Sequence, residues 1–293
     1  GRALGRAVSG NVGRGFTESE GIMAAGQGMT KRYFSFGGGV QSTAVLVLAA
    51  QGRVQYDAFL FSNVGNDSEN PATIAYVENV AKPYAKAHGI ELVELQKRRR
   101  TGEPVTLYRN LQKRTRAIDI PVYLGGGGPI SRNCTVDFKM RVIGKHTKQH
   151  GATEATPAVV AIGISMDEIQ RMHNKSAIAW QTLEYPLIDL RLYRRDCMRI
   201  IADAGLPVPP KSSCWFCPFH RRDEWVTMKR EQPELFGRAV ELEQMLNARR
   251  ATLGRDEIYL HASLQPLERA VGDQMAFDFS ENDMPCDTGY CFI

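Results

Sequence analysis

The sequence predicts an α/β protein: a doubly wound, mostly parallel sheet with a helical region at its C-terminal end. Three observations predict it. Short apolar runs of strand length alternate with helix-length stretches, the pattern of parallel strands joined by crossover helices. Three glycines, Gly37, Gly38 and Gly39, separate the first such run from the helix after it. Beyond about residue 194 helical patterning takes over and persists to about residue 250.

Taken in order, "RYFSF" at 32–36 reads as a buried strand, and a helix is expected from about Ser42 to Gln51. "YDAFLFSNV" at 56–64 is a second strand. A helix follows from about 71 to 88, with Gly89 as its C-cap. "IELVELQ" at 90–96 is a third strand. The stretch 97–132 is polar, basic and broken by "GGGGP", and is expected to be an irregular, mobile excursion. A helix is expected over 136–151, a strand over 158–164, and another strand in "EYPLIDL" at 184–190. The helix from 194 is ended by Gly205 and the prolines after it. "FSENDMPCDTGYCFI" closes the chain as an extended tail carrying two cysteines.

The 293 residues are 43% hydrophobic and 24% charged, an ordinary globular balance. No run of about 18 apolar residues occurs, so no membrane partner is expected. Residues 1–28 are rich in Gly, Ala and Arg and lack the apolar core of a secretory signal. With Met29 reading as a natural start, they are expected to be a disordered leader. Lys and Arg number 37 against 32 Asp and Glu, a net charge of +5. That balance is compatible with a nucleotide or nucleic-acid partner but does not require one. Basic residues cluster in "QKRRR" at 96–100 and "YRNLQKRTR" at 108–116. Each cluster is either a solvated face or part of a polyanion-binding surface. Six cysteines are too few for a disulfide scaffold, so reduced thiols and a cytoplasmic location are expected.

A glycine turn between a parallel strand and a helix leaves backbone N–H groups open at the helix N-terminus. Those groups and the helix dipole favour a phosphate. Glycine lets the backbone approach the anion, and Ser42 and Thr43 add hydroxyls. The loop is not a Walker A motif, because no Gly-Lys-Ser/Thr follows, and the G-x-G-x-x-G spacing also fails.

"SFGGGVQSTAVL" resembles the PP-loop of the adenine-nucleotide α-hydrolase superfamily. Within that superfamily the chain looks most like the phosphoadenosine phosphosulfate reductase family. "LFSNVGNDSENPATIAYVENVAK", "SRNCTVDFKMRVI", "AIGISMDEIQRM" and the stretch ending in "KSSCWFCPF" carry the same resemblance in the family's order, over about 32–219. The resemblance implies a PP-loop nucleotide-binding domain over 29–220, followed by a helical region and cysteine-bearing tail over 221–293. It places ATP or a related adenine nucleotide, with Mg²⁺, on Ser35, Phe36, Gly37, Gly38, Gly39, Gln41, Ser42, Thr43, Ser62, Asn63 and Gly163. Lys139, Arg171 and Arg132 are candidates to neutralise phosphate charge. The chain departs from the family at Gly37 (usually Ser), Gln41 (usually Asp) and Ser165 (usually Arg). The reductase's C-terminal Glu-Cys-Gly-(Leu/Ile)-His motif is absent, and "CDTGYCFI" stands at the end instead.

Cys214-Trp-Phe-Cys217 before Pro218 places two thiols at a spacing suited to one metal or cluster. Similarity to iron–sulfur members of the family implies a [4Fe–4S] cluster on Cys134, Cys214 and Cys217. Cys291, Cys286 or Cys197 could be a fourth ligand, or none is, which would leave one iron open; zinc is the alternative metal. Cys197, mid-helix among apolar residues, reads as a buried filler. His220 is either a supporting donor or a surface residue.

The function expected is adenylation followed by sulfur transfer, with RNA or DNA as substrate, a sulfur donor or reductant as partner, and a homo-oligomer as assembly. Cys286 and Cys291 are candidate sulfur-carrying nucleophiles, beside Lys139 and Arg171. Two alternatives stand: a reductase acting on an adenylyl sulfate, with Cys291 as its reactive thiol, or a catalytically silent nucleotide- or nucleic-acid-binding module.

Overall fold

The computed structural model describes residues 30–113, 116–126 and 128–272. The expected leader, Cys286 and Cys291 lie outside the described residues. Seven strands are present among them: β1 (Arg32–Phe36), β2 (Ala58–Asn63), β3 (Leu92–Gln96), β4 (Tyr123–Leu124), β5 (Ala158–Ile162), β6 (Gln181–Glu184) and β7 (Ile258–Tyr259). Five form one sheet in the order β3-β2-β1-β5-β6, every pair parallel. This is the α/β doubly wound architecture, with helices on both faces.

Alternation of side chains along the strands separates the two faces. Phe34, Phe36, Phe59 and Phe61 point to one side, onto the helices Val40–Ala50, 71–87 and Arg194–Asp203. Tyr33, Leu60 and Val160 point to the other, onto Ile143 of the 133–149 helix. The Val40–Ala50 helix has buried residues from Ser42 through Leu48, because it lies between the sheet and the 194–203 helix. Its continuous apolar sequence follows from that position, since no side is left to water. The 71–87 helix is capped by Asn70, whose side chain accepts from Ala72 N at 2.9 Å, and it passes through a π-helical turn at Val77–Ala81. Gly89, at φ +67°, ends it as expected.

A second apolar cluster joins Val64, Leu107, Ile120, Phe138, Trp215 and Trp225 to the helices Arg222–Glu231 and Pro233–Ala251. The excursion over 97–132 therefore differs from expectation. Val105, Leu107, Leu111, Ile118, Ile120 and Val122 are buried in this cluster. A short helix, Leu107–Gln112, is capped by the Thr106 hydroxyl, and β4 pairs antiparallel with β7. The polar composition hid apolar residues at 105, 107, 111, 118, 120 and 122.

The strand expected over 184–190 is also corrected. It spans Gln181–Glu184, and Pro186 opens a turn of helix, Pro186–Asp189. Proline is suited to that position, where its missing N–H leaves no intrahelical bond unmade. Among the described residues no helix is long and apolar enough to cross a membrane.

Candidate functional site

Because the five strands are parallel, Phe36, Asn63, Gln96, Ile162 and Glu184 end along one edge. The strand order reverses at β1 and β5, and open parallel sheets bind ligands at such a switch point. Gly37, Gly38 and Gly39 leave β1 there. Gly38 has φ +74°, and a Cβ on it would stand 3.1 Å from Val77 Cγ2 and 3.2 Å from Thr73 Cγ2. A Cβ on Gly39 would stand 3.0 Å from the Ser212 hydroxyl. One on Gly163 would meet Phe34 at 3.3 Å and Ser42 N at 3.4 Å. The loop lies close to the 71–87 helix, Ser212 and the exit of β5, so tight space favours glycine at 38, 39 and 163, and at Gly38 the positive φ favours it as well.

The loop is stiffened from within. Gly39 N donates to Ser42 Oγ at 3.1 Å, and that hydroxyl donates back to Gly39 O at 3.0 Å. Thr43 is fully buried. Gln41 Oε1 accepts from Arg194 Nη1 at 3.2 Å. Phe36 points away, into the core with Phe59 and Phe61. Ser62 and Asn63 are buried and committed to architecture. Ser62 Oγ donates to Phe138 O at 2.7 Å. Asn63 donates to Asn66 and Glu94 and accepts from Gly65 N.

Beside the loop, on the Tyr33 face of the sheet, lies a cavity of about 370 Å³. Ser35, Val160 and Ile162 form its floor, the 133–149 helix supplies Lys139 and Met140, and His173 and Lys175 lie across from them. Its size is within the usual range for small-molecule sites, roughly 300–1,000 Å³. An apolar slot with cationic groups around it suits a flat base and an anionic tail.

The Cys-x-x-Cys turn abuts the same loop. Cys217 N donates to Cys214 O at 3.1 Å. The segment is strapped to the exit of β2 by a β-bridge from Cys214 to Glu69, by Asn70 N donating to Ser213 O at 3.0 Å, and by Trp215 Nε1 donating to Asp67 O at 2.8 Å. Ser212, two residues before Cys214, is the residue that a Cβ at position 39 would meet. His220 Nε2 lies 2.9 Å from Cys214 O, a geometry that makes this nitrogen the donor, so His220 supports the turn. Glu224 accepts from Lys211 Nζ at 2.8 Å and Arg221 N at 2.7 Å. Burial opposes ionisation of Glu224, but His220, whose Nδ1 lies 3.6 Å from the carboxylate, and the Lys211 cation outweigh it and hold the carboxyl at about 2.

Arg132 stacks on the Phe219 ring at 5.8 Å, which carries the Cys134 segment toward the Cys-x-x-Cys segment. Cys134 and Cys214 pack against the same apolar cluster. Thiol donors of this kind suit iron or zinc. Among the described residues no group of three or more His, Cys, Asp or Glu is arranged to hold a metal ion. Cys197 is fully buried, and burial pushes its thiol up to about 12. It is the inert filler expected.

Arg171 is buried and pairs with Glu168 at 2.5 Å on the turn after β5. A second groove, of about 620 Å³, runs along the other flank of the 133–149 helix between Lys97, Arg98, Arg141 and Lys145, with Glu94 and Asp137 inside it. Arg194 and Ser212 were not legible as site residues. Only the nearness of Ser212 to Cys214 gave any signal, and Arg194 reads in sequence as one surface arginine among several. No known family model matches the chain, and no curated protein matches it either.

Proposed function

We propose that this protein is an adenine-nucleotide-dependent enzyme that activates an oxygen by adenylation and then transfers sulfur, with a nucleic acid as substrate. The observation that carries the reading is the close approach of Ser212 to Gly39. A phosphate-type loop and a Cys-x-x-Cys turn, more than 170 residues apart in sequence, share one edge of the sheet.

The 370 Å³ cavity takes the base and ribose between Ser35, Ile162 and Met140. The phosphates lie on Gly37, Gly38, Gly39 and the first turn of the following helix, where backbone N–H groups and the helix dipole meet them. Lys139, within the same cavity, supplies positive charge to the α-phosphate. A substrate carbonyl oxygen attacks the α-phosphorus and pyrophosphate leaves; sulfide supplied by a separate donor then attacks the activated carbon, and the C–O bond breaks to release AMP with that oxygen. Cys134, Cys214 and Cys217 are the thiols that would hold an iron–sulfur cluster or zinc; among the described residues they do not already form a three-ligand group, so binding would draw the Cys134 segment and the Cys-x-x-Cys turn together. The groove of Lys97, Arg98, Arg141 and Lys145 has four cations against two carboxylates, and this excess supports a phosphodiester strand as the partner.

The test is twofold. Anaerobically purified protein is analysed for iron, sulfide and zinc, and pyrophosphate release from ATP is followed with and without RNA or DNA. Iron with matching sulfide and nucleic-acid-stimulated pyrophosphate release support the reading. Neither metal bound and no release would sink it.

A further inference from the structure

We infer that Arg194 takes the place of a divalent cation at the phosphate loop, so that a nucleotide's phosphates bind there without magnesium. This rests on reading Gly37–Gly39 as the phosphate cradle. The superfamily resemblance implies Mg²⁺ at this position, and the donor set of this chain does not fit it. Mg²⁺ is held by one or two carboxylates together with phosphate oxygens. The first turn of the Val40–Ala50 helix has no acidic residue, and Gln41 offers only a neutral amide oxygen. That oxygen is already turned toward a cation, accepting from Arg194 Nη1 at 3.2 Å.

The neighbouring carboxylates are committed elsewhere. Asp167 Oδ2 accepts from Arg194 N at 2.5 Å and from Ser165 Oγ at 3.2 Å. Glu168 is buried with Arg171. Asp196 accepts from Tyr193 N at 3.0 Å and from Arg199 at 3.2 Å. The arrangement instead presents a guanidinium. Asp167 fixes the Arg194 backbone, and the 194–203 helix packs beside the Val40–Ala50 helix, so Arg194 reaches the first turn of the latter. A guanidinium stays charged at every working pH and matches phosphate oxygens with paired donors. Exchanging the neutral Gln41 oxygen for a phosphate oxygen turns a hydrogen bond with one charged partner into an ion pair with two.

The experiment is calorimetric titration of the full chain with ATP, once in magnesium and once in EDTA, for wild type, Arg194→Ala and Arg194→Lys. The backbone bond from residue 194 to Asp167 survives both substitutions, and circular dichroism checks the fold. Wild-type affinity is expected to agree within about twofold between the two buffers. Arg194→Ala is expected to lose about 10- to 100-fold in both, the usual range for a lost charged hydrogen bond, with Arg194→Lys in between. Wild-type binding only in magnesium, or an Arg194→Ala variant that binds as tightly as wild type, overturns the inference and leaves the nucleotide reading standing. No saturable ATP binding in either buffer overturns the nucleotide reading itself.

Discussion

Ser212 closes on Gly39: a Cβ at position 39 would lie 3.0 Å from the Ser212 hydroxyl and 3.7 Å from Ser212 Cβ. This contact joins the loop after β1 to the segment that leads into Cys214. The backbone of Gly39 is extended, at φ −101°, so space rather than strain excludes a side chain there. Gly39→Ala is expected to destabilise by about 1–3 kcal/mol, the usual range for overpacking. Ser212→Ala removes the nearer atom and leaves the ordinary 3.7 Å contact. The double variant is expected to regain most of the loss in a chemical-denaturation cycle. Additive losses would show that the two residues do not meet.

Gly38→Ala is expected to cost more. Its Cβ would meet two methyl groups at 3.1 and 3.2 Å, and its φ of +74° is unfavourable for alanine. Neither Val77→Ala nor Thr73→Ala should rescue it fully, because the backbone strain remains. Melting temperatures of the three combinations check this.

Arg171 and Glu168 form a pair that is buried on both sides, with side chains 3% and 8% exposed. Removing one partner leaves the other charge buried. Arg171→Ala is expected to destabilise by about 3–5 kcal/mol. Arg171→Ala with Glu168→Gln should recover part of that loss, measured by urea unfolding. Full stability of the single variant would contradict the buried pair.

Glu224 sets an acid limit. Its folded value of about 2 lies below the ordinary 4.5, so its contribution is complete above about 4.5 and is lost as pH falls toward 2. Wild type is expected to lose stability across that window. Glu224→Gln should be less stable at neutral pH and show a shallower loss between pH 4.5 and 2. Parallel curves for the two proteins would contradict the assignment.

Parallel alternation was legible because a buried strand leaves a continuous apolar run, as in "AFLFSN", whose six residues are all buried. The glycine loop was legible because few other residues can leave a strand that way. The excursion was not legible, because Val105, Leu107, Leu111 and Ile118 reach the core from a background of arginine and lysine. Arg194 was not legible either. Its meeting with Gln41 comes from two helices packed side by side, a long-range relation that no local pattern encodes. Ser62 and Asn63, which the family resemblance offers as nucleotide contacts, also have an architectural role that the sequence did not show. They tie β2 to Phe138 and Glu94, partners distant in sequence.

An adenine nucleotide bound along β1 and its loop, as proposed, would have Lys139 beside its α-phosphate. The most direct test is equilibrium titration of ATP into wild type and Lys139→Ala. The account predicts saturable 1:1 binding by wild type and about tenfold or greater weakening in the variant with its fold intact. Absence of saturable binding by wild type, or equal affinity of the two proteins, would contradict it.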